Sequence, residues 1–334
     1  MPGLHRVLIL GVGSIGERHL RCFQMIGRAE LAFVEINDSL RRAVAERYGI
    51  RYAYANLDDA LAGRPTAAVI ATPAPLHVPL SLRLAEAGIH LLIEKPLSTS
   101  LEGVDRLRQV VARRGVVAAM AYVYRVLPGL AGMRAALVEG RFGRPVQLVA
   151  VCGQHFPTYR PAYRTIYYTD RAQGGGAIQD ALTHVINAGE WLIGPVDRVL
   201  ADAAHQILEG VEVEDTVHVL TRQGTALGSY SLNQHQAPNE FTITVICDRG
   251  TARCEFHENR WRWMTQPSGT WHDEPYPPVD RDTPFVTQAH RFLDAVEGKA
   301  APPSTLEEGI QTLRVNLAAL ASLEQENWQT IQSD

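Results

Sequence analysis

The sequence predicts an α/β protein of two domains, the first built on a doubly wound parallel sheet. Three observations carry this. Over the first hundred-odd residues, short apolar runs alternate with stretches of helical periodicity. The runs are continuous rather than alternating in polarity, as strands covered on both faces require. At 334 residues the chain exceeds one average domain, and its pattern changes near residue 122. One domain is therefore placed at residues 1–122 and a second at residues 123–334.

In the first domain Val7–Leu10, Leu31–Val34, Ala67–Ala71, His90–Ile93 and Val116–Ala119 read as buried strands. Helices over Ser14–Ile26, Ser39–Tyr48, Leu76–Ala87 and Leu101–Arg113 lie between them. Leu76, Leu80 and Leu84 recur every four residues and line one helical face. Such strand–helix alternation argues for a parallel sheet wrapped by helices.

The second domain opens with a helix over Leu127–Glu139, a break at Gly143-Arg144-Pro145 and a strand over Val146–Val151. An aromatic and basic loop and a triple glycine lead into a helix over Ile178–Ile193. From Arg198 to Phe256 the polarity alternates: Val211 and Val213, then Thr216–Leu220, Thr225–Leu232 and Phe241–Cys247. That is the pattern of antiparallel strands with one solvated face. Asp248-Arg249-Gly250 reads as a turn and residues 265–284 as a surface loop. Helices over Phe285–Val296 and Leu306–Leu323 close the chain.

Composition excludes several functions. Hydrophobic residues make up 46% and charged residues 20%, ordinary for a protein that buries a real core. Lys and Arg number 32 against 36 Asp and Glu, and no dense basic run appears, so no nucleic-acid partner is expected. Cys22, Cys152, Cys247 and Cys254 are scattered without a Cys-x-x-Cys pair, which fits free thiols in a reducing compartment. His205, His218, His235 and His257 lack metal-ligand spacing, and no metal is expected. No apolar run approaches the ~20 residues of a membrane span, and Val7–Val12 is too short for a signal peptide. A cytoplasmic location and no membrane partner are expected.

Gly11-Val12-Gly13-Ser14-Ile15-Gly16 fits G-x-G-x-x-G, with a strand ending before it and a helix starting within it. The first glycine permits the tight turn, the second a close approach of backbone to a pyrophosphate, the third close helix–strand packing. Phosphates would then lie at the positive end of the helix. This makes the first domain a Rossmann domain. Glu35, at the close of the next strand, stands where a ribose 2′-hydroxyl would sit and would repel a 2′-phosphate, which favours NAD over NADP. Arg41 and Arg42 temper that preference.

Four stretches narrow the reading: Gly16-Glu17-Arg18-His19, Ala71-Thr72-Pro73-Ala74-Pro75-Leu76-His77, Gly88 to Leu97 with its Glu94-Lys95-Pro96 core, and Gly174-Gly175-Gly176 to Asp180 and His184. In this order and spacing they resemble the Gfo/Idh/MocA family of oxidoreductases, the family of glucose-fructose oxidoreductase and inositol dehydrogenase. The resemblance continues through Arg125 and Pro128 and the tail Phe292 to Val296. It implies an α/β second domain with an open, mostly antiparallel sheet, whose face pairs subunits of many members into homodimers or homotetramers. It implies hydride transfer between NAD(P) and a secondary alcohol or ketone of a cyclic sugar or polyol. Thr72, Pro73, His77, Glu94 and Lys95 join Gly11, Gly13, Ser14, Ile15, Gly16 and Glu35 as cofactor-binding candidates.

Alcohol oxidation needs a base for the hydroxyl proton. By the resemblance Lys95 is a catalytic lysine contacting the reacting oxygen; it lies beyond a strand's carboxyl end, where such sheets bind ligands. Asp180 and His184, four apart on the expected helix, project from one face. His184 is assigned as base or proton relay, and Asp180 as ligand to a substrate hydroxyl and electrostatic partner. The family often carries glycine where this chain has Leu182 and aspartate where it has Asn187, so the pocket shape is this chain's own. His155, Arg160, Tyr163 and Arg164 combine aromatic faces with cations suited to sugar rings and carboxylates, but the same composition also suits a protein interface. Tyr122 and Arg125 complete the substrate-binding candidates. Two other readings stay open: a lyase or glycosidase that needs NAD and regenerates it within each cycle, and a dinucleotide-binding regulator without catalysis. Retention of Lys95, Asp180 and His184 together argues against the regulator.

Overall fold

A computed structural model describes residues 4–332. It divides into two compact units. One holds the chain up to Val123 together with Asp280–Gly309; the other holds Tyr124–Val279 and the chain from Ile310 onward. The sequence reading draws a single boundary at residue 122 and leaves residues 280–309 with the second domain.

In the first unit, strands and helices alternate: β1 (His5–Leu10), α1 (Ser14–Ile26), β2 (Ala29–Val34), α2 (Asp38–Tyr48), β3 (Tyr52–Tyr54), α3 (Leu57–Ala62), β4 (Ala67–Ile70), α4 (His77–Glu86), β5 (His90–Ile93), α5 (Val104–Arg114) and β6 (Ala118–Met120). The sheet order is β3-β2-β1-β4-β5-β6 and every pairing is parallel. This is the expected doubly wound sheet, and the strand order reverses beside β1, where such sheets bind ligands at the carboxyl edge. All four residues of β4 are buried, which is why its run is apolar without alternation. Asn37 caps α2 by accepting from the Leu40 amide at 3.0 Å, and Gly49 ends it in the left-handed conformation at φ 63°. β3 and α3 were not anticipated: a three-residue edge strand with no fully buried position leaves no apolar run to read.

The second unit contains α6 (Pro128–Val138), β7 (Pro145–Gly153), α7 (Phe156–Tyr159), α8 (Thr183–Ile193), β8 (Arg198–Ala204), β9 (Thr216–Gln223), β10 (Ala226–Asn233), β11 (Glu240–Cys247), β12 (Gly250–Glu255), β13 (Arg260–Met264) and β14 (His272–Pro275). After α9 (Thr283–Val296) and α10 (Leu306–Gln325), β15 (Gln329–Thr330) completes a nine-stranded sheet ordered β14-β13-β12-β11-β7-β10-β9-β8-β15. Only the β7–β10 pairing is parallel, so the sheet is mostly antiparallel, as expected. Alternation is clean in β9: Val217, Val219, Thr221 and Gln223 are buried, while His218, Leu220 and Arg222 face out. The inner face packs with Val185, Ile186 and Leu192 of α8 and Leu130 and Met133 of α6 into one core.

Three local expectations change. Val211 and Val213 lie outside any strand; they join Phe156, Tyr163, Tyr168 and Leu208 in a separate apolar cluster. The surface loop at 265–284 includes β14, whose four residues are all exposed and so show no alternation. Ile178–Leu182 is a π-helical turn, with α-helix resuming only at Thr183. Helix α9 belongs to the first unit because Ala289, Phe292 and Leu293 share a core with Val7, Leu20 and Phe23, and Arg28 pairs with Asp294 at 2.8 Å and Glu297 at 2.6 Å.

Candidate active site

The carboxyl edge of the parallel sheet gathers the first group of candidates. Gly11 follows β1 with φ 79°, and a Cβ there would crowd the Ala71 carbonyl at 3.0 Å. A Cβ on Gly16 would land on the Gly11 carbonyl itself, so α1 approaches the turn only because residue 16 has no side chain. Gly13 and Ser14 are exposed at the start of α1. Glu35, just past β2, reaches back to this turn: Oε2 accepts from the Val12 amide at 3.2 Å and Oε1 from the Asn37 amide at 2.9 Å. Arg41 and Arg42 both pair with Asp38, and Arg41 also donates to the Glu35 carbonyl at 2.9 Å.

Beyond β4 and β5 the chain is tied by buried polar contacts. His77, 2% exposed, sets Nε2 at 2.8 Å from the Thr72 carbonyl and Nδ1 at 2.9 Å from the Pro96 carbonyl. Burial pushes this imidazole toward its neutral form, against the two carbonyls that favour protonation. Glu94 is buried, Lys95 half-buried, and the Lys95–Pro96 peptide is cis. Glu94 hydrogen-bonds His19, a residue whose role the sequence reading did not identify.

Asp180 and His184 lie in the second unit, Asp180 in the π-helical turn and His184 in the first turn of α8. Asp180 is 1% exposed. Its Oδ2 accepts from Arg160 Nη1 at 2.8 Å and its Oδ1 from the Tyr167 hydroxyl at 2.6 Å. His184 is half-buried and stacks on Tyr124, ring centroids 4.8 Å apart and planes 21° from parallel. π-Turns of this kind recur at functional sites.

The triple glycine makes room for two neighbours. A Cβ on Gly175 would strike the Tyr167–Tyr168 backbone, and one on Gly176, at φ 85°, would strike the Glu214 carboxylate. Glu214, with a side chain 1% exposed, accepts from the Ile178 amide at 3.1 Å and from Arg171 at 2.9 and 2.8 Å. The glycines thus admit a buried carboxylate to the start of the turn that carries Asp180, where the helix end favours negative charge. Glu214 and Arg171 carried no signal in the sequence; Tyr167 stood at the end of the aromatic loop.

The remaining substrate candidates disperse within the second unit, except Tyr122, which is buried at the end of the first. Arg160 reaches Asp180. Arg125 is 2% exposed, donates from Nε to Asn187 Oδ1 at 2.8 Å and lies over the Trp191 ring. Asn187 in turn donates to Thr312, which donates to Glu190 at 2.7 Å. Burial raises the Glu190 carboxyl above its ordinary range despite these bonds. Tyr163 and Arg164 both turn to Glu209, through its carbonyl at 3.0 Å and its carboxylate at 3.1 Å. His155 Nδ1 stands 2.8 Å from the Thr158 hydroxyl.

The cradle at Gly11 and Gly16, which side chains would fill, and the Glu35 carboxylate beside it fit a dinucleotide. Gly11, Gly13, Ser14, Ile15 and Gly16 would hold its phosphates and Glu35 its ribose. Among the described residues no cluster of three His, Cys, Asp or Glu side chains has the arrangement of a metal site, and no helix is long and apolar enough to cross a membrane.

Comparison with known proteins bears on both units. Residues 5–122 match an oxidoreductase family with an NAD-binding Rossmann fold, and residues 130–253 match the GFO/IDH/MocA C-terminal domain. The chain belongs to the GFO/IDH/MocA family. Among its relatives, 1,5-anhydro-D-fructose reductase of Ensifer adhaerens is 30% identical over 292 residues, covering 83% of this chain and 84% of that protein. Myo-inositol 2-dehydrogenase of Thermotoga maritima is 26% identical, covering 96% of each. The WlbA dehydrogenase of Bordetella pertussis, solved with NADH and UDP-GlcNAcA, is 26% identical with a TM-score of 0.86, over 100% of this chain and 99% of that one. This GFO/IDH/MocA protein is an NAD-binding oxidoreductase, a dehydrogenase whose cofactor binds on the Rossmann unit.

Proposed function

We propose that the enzyme catalyses NAD-dependent interconversion of a ring secondary alcohol and its ketone, on a sugar, sugar acid or inositol, with Lys95, Asp180 and His184 as its catalytic residues. The observation that carries this reading is the Asp180 carboxylate, 1% exposed yet held by Arg160 and Tyr167, four residues before a half-buried histidine. A buried carboxylate is costly to keep, and one fixed in place four residues before an imidazole suits proton handling better than packing.

NAD, when bound, supplies the hydride acceptor. The protein's own part is the oxygen and its proton. His184 takes the hydroxyl proton, a role an imidazole can fill at neutral pH. Asp180 accepts from a neighbouring substrate hydroxyl and stabilises the protonated imidazole. Lys95 contacts the reacting oxygen. The substrate class is supported by relatives named for an anhydro-fructose and an inositol, and by one solved with a sugar-acid nucleotide. Preference for NAD over NADP rests on Glu35. Self-association through the nine-stranded sheet into a dimer or tetramer is part of the same proposal, and light scattering after gel filtration tests it; a monomer refutes it.

The test of function is a screen of sugars, sugar acids, inositols and their glycosides with purified protein and NAD, read at the NADH absorbance, with Lys95→Ala as control. Absorbance that rises with one class and is lost in the variant supports the proposal. NAD binding without net NADH in every class overturns it, and product analysis then separates internal redox cycling from regulation.

A further inference from the structure

Lys95 is one of only two lysines in the chain, the other being Lys299, and buried histidines pin the backbone on both sides of it. Upstream, the Glu94 side chain turns back so that Oε2 accepts from the Lys95 amide at 3.0 Å. Its other oxygen lies 2.7 Å from His19 Nε2, and the two side chains are 1% (His19) and 6% (Glu94) exposed. A carboxylate only accepts, so His19 Nε2 carries the proton and donates it. Downstream, the Pro96 carbonyl meets His77 Nδ1 at 2.9 Å. His19 stands on α1 three residues after Gly16, its ring edge-on to Phe285 with centroids 5.4 Å apart.

We propose that His19 is a positioning residue for Lys95, acting through Glu94: α1 holds the carboxylate, and the carboxylate holds the lysine's amide. This inference rests on the reading of Lys95 given above. The helix that opens the cofactor site and the lysine at the end of β5 are thereby set by one hydrogen-bonded chain. The groups facing Glu94 are His19 from α1, Lys95 on its own segment and His77 from α4. Burial by itself would raise the Glu94 carboxyl; the His19 hydrogen bond and charge, then Lys95, outweigh it and hold the group below its usual range. Without His19 the carboxyl takes up a proton more readily, becomes a weaker acceptor and releases the Lys95 amide.

The two-lysine composition makes the test direct. Labelling with 15N-lysine leaves two backbone amide signals, and Lys299→Arg assigns them. In the wild type the Lys95 amide proton should report an inflection below the ordinary glutamate value of about 4.3. In His19→Ala that inflection should rise by at least about one pH unit, and exchange of the amide with solvent should quicken by about tenfold or more. His19→Gln, whose amide can donate to the same oxygen, should restore both. Glu94→Gln should abolish the inflection, and it decides the matter where His19→Ala fails to fold. With a sugar substrate, kcat in His19→Ala should fall by about tenfold while KM for NAD stays within about threefold. A Lys95 amide that titrates and exchanges as in the wild type in His19→Ala, or a glutamine variant as disturbed as the alanine one, overturns the proposal. If the amide behaves as stated but Lys95→Ala retains full turnover, the anchor stands and the catalytic reading of Lys95 fails.

Discussion

Replacing Tyr167 with Phe keeps the ring and removes a donor to Asp180. The hydroxyl lies 2.6 Å from Oδ1, while Arg160 Nη1 lies 2.8 Å from Oδ2. A hydrogen bond to a charged acceptor contributes about 1.5–3 kcal/mol. Both donors are open to solvent, with Tyr167 40% exposed and the Arg160 side chain 42%, so the lower end of that range applies. About 1.5 kcal/mol corresponds to roughly tenfold in kcat/KM. Arg160→Gln should cost a similar factor. Because both donors act through one carboxylate, the double variant should depart from the product of the two single effects. Initial rates of NADH formation on a sugar substrate measure all three variants, and thermal melting confirms that each is folded. Single variants within about twofold of the wild type, alongside an inactive Asp180→Asn, would refute the claim that these donors hold Asp180 for work.

Other expectations follow from the same contacts. Glu35→Ser removes the charge that repels a 2′-phosphate and should raise the NADP-to-NAD ratio of kcat/KM by about tenfold; an unchanged ratio denies Glu35 its role. Gly176→Ala places a Cβ on the Glu214 carboxylate at a positive φ, and should lower stability to denaturant by about 2–4 kcal/mol. An unshifted unfolding midpoint would show that position 176 need not lack a side chain. Glu297 is pushed down to about 2 by Lys299, Arg28 and His5. A carboxyl whose folded value lies below its unfolded one stabilises fully above about pH 4.3 and loses that contribution as pH falls. Glu297→Gln should therefore flatten the acid limb of stability between about pH 4.5 and 2; an unaltered limb counts against the cluster.

The parallel sheet was legible because its cause is local. A strand buried on both faces must be apolar along its buried length, and β4 throughout and β5 after His90 announce themselves as such. The antiparallel strands were legible for the opposite reason, since β9 alternates residue by residue. Elements without a buried face left no trace: β3 sits at an edge, and β14 is wholly exposed. Val211 and Val213 misled because apolar alternation also arises where a loop drops two side chains into a small cluster.

The sequence by itself determined the fold class and the glycine turn with an acidic residue at Glu35, which depend on residue type and on spacings of a few positions. Its family resemblance put forward Lys95, Asp180 and His184 for proton work. Tertiary structure alone decided what holds those residues. His19 meets Glu94 across 75 positions, and Glu214 meets the Ile178 amide across 36. It also decided that α9 completes the first core and that Asp180 sits in a π-turn rather than a regular helix. Local propensity scales with a handful of neighbours, whereas a buried carboxylate persists only if distant donors converge on it. Such convergence is a property of the folded chain and is written in no short stretch of it.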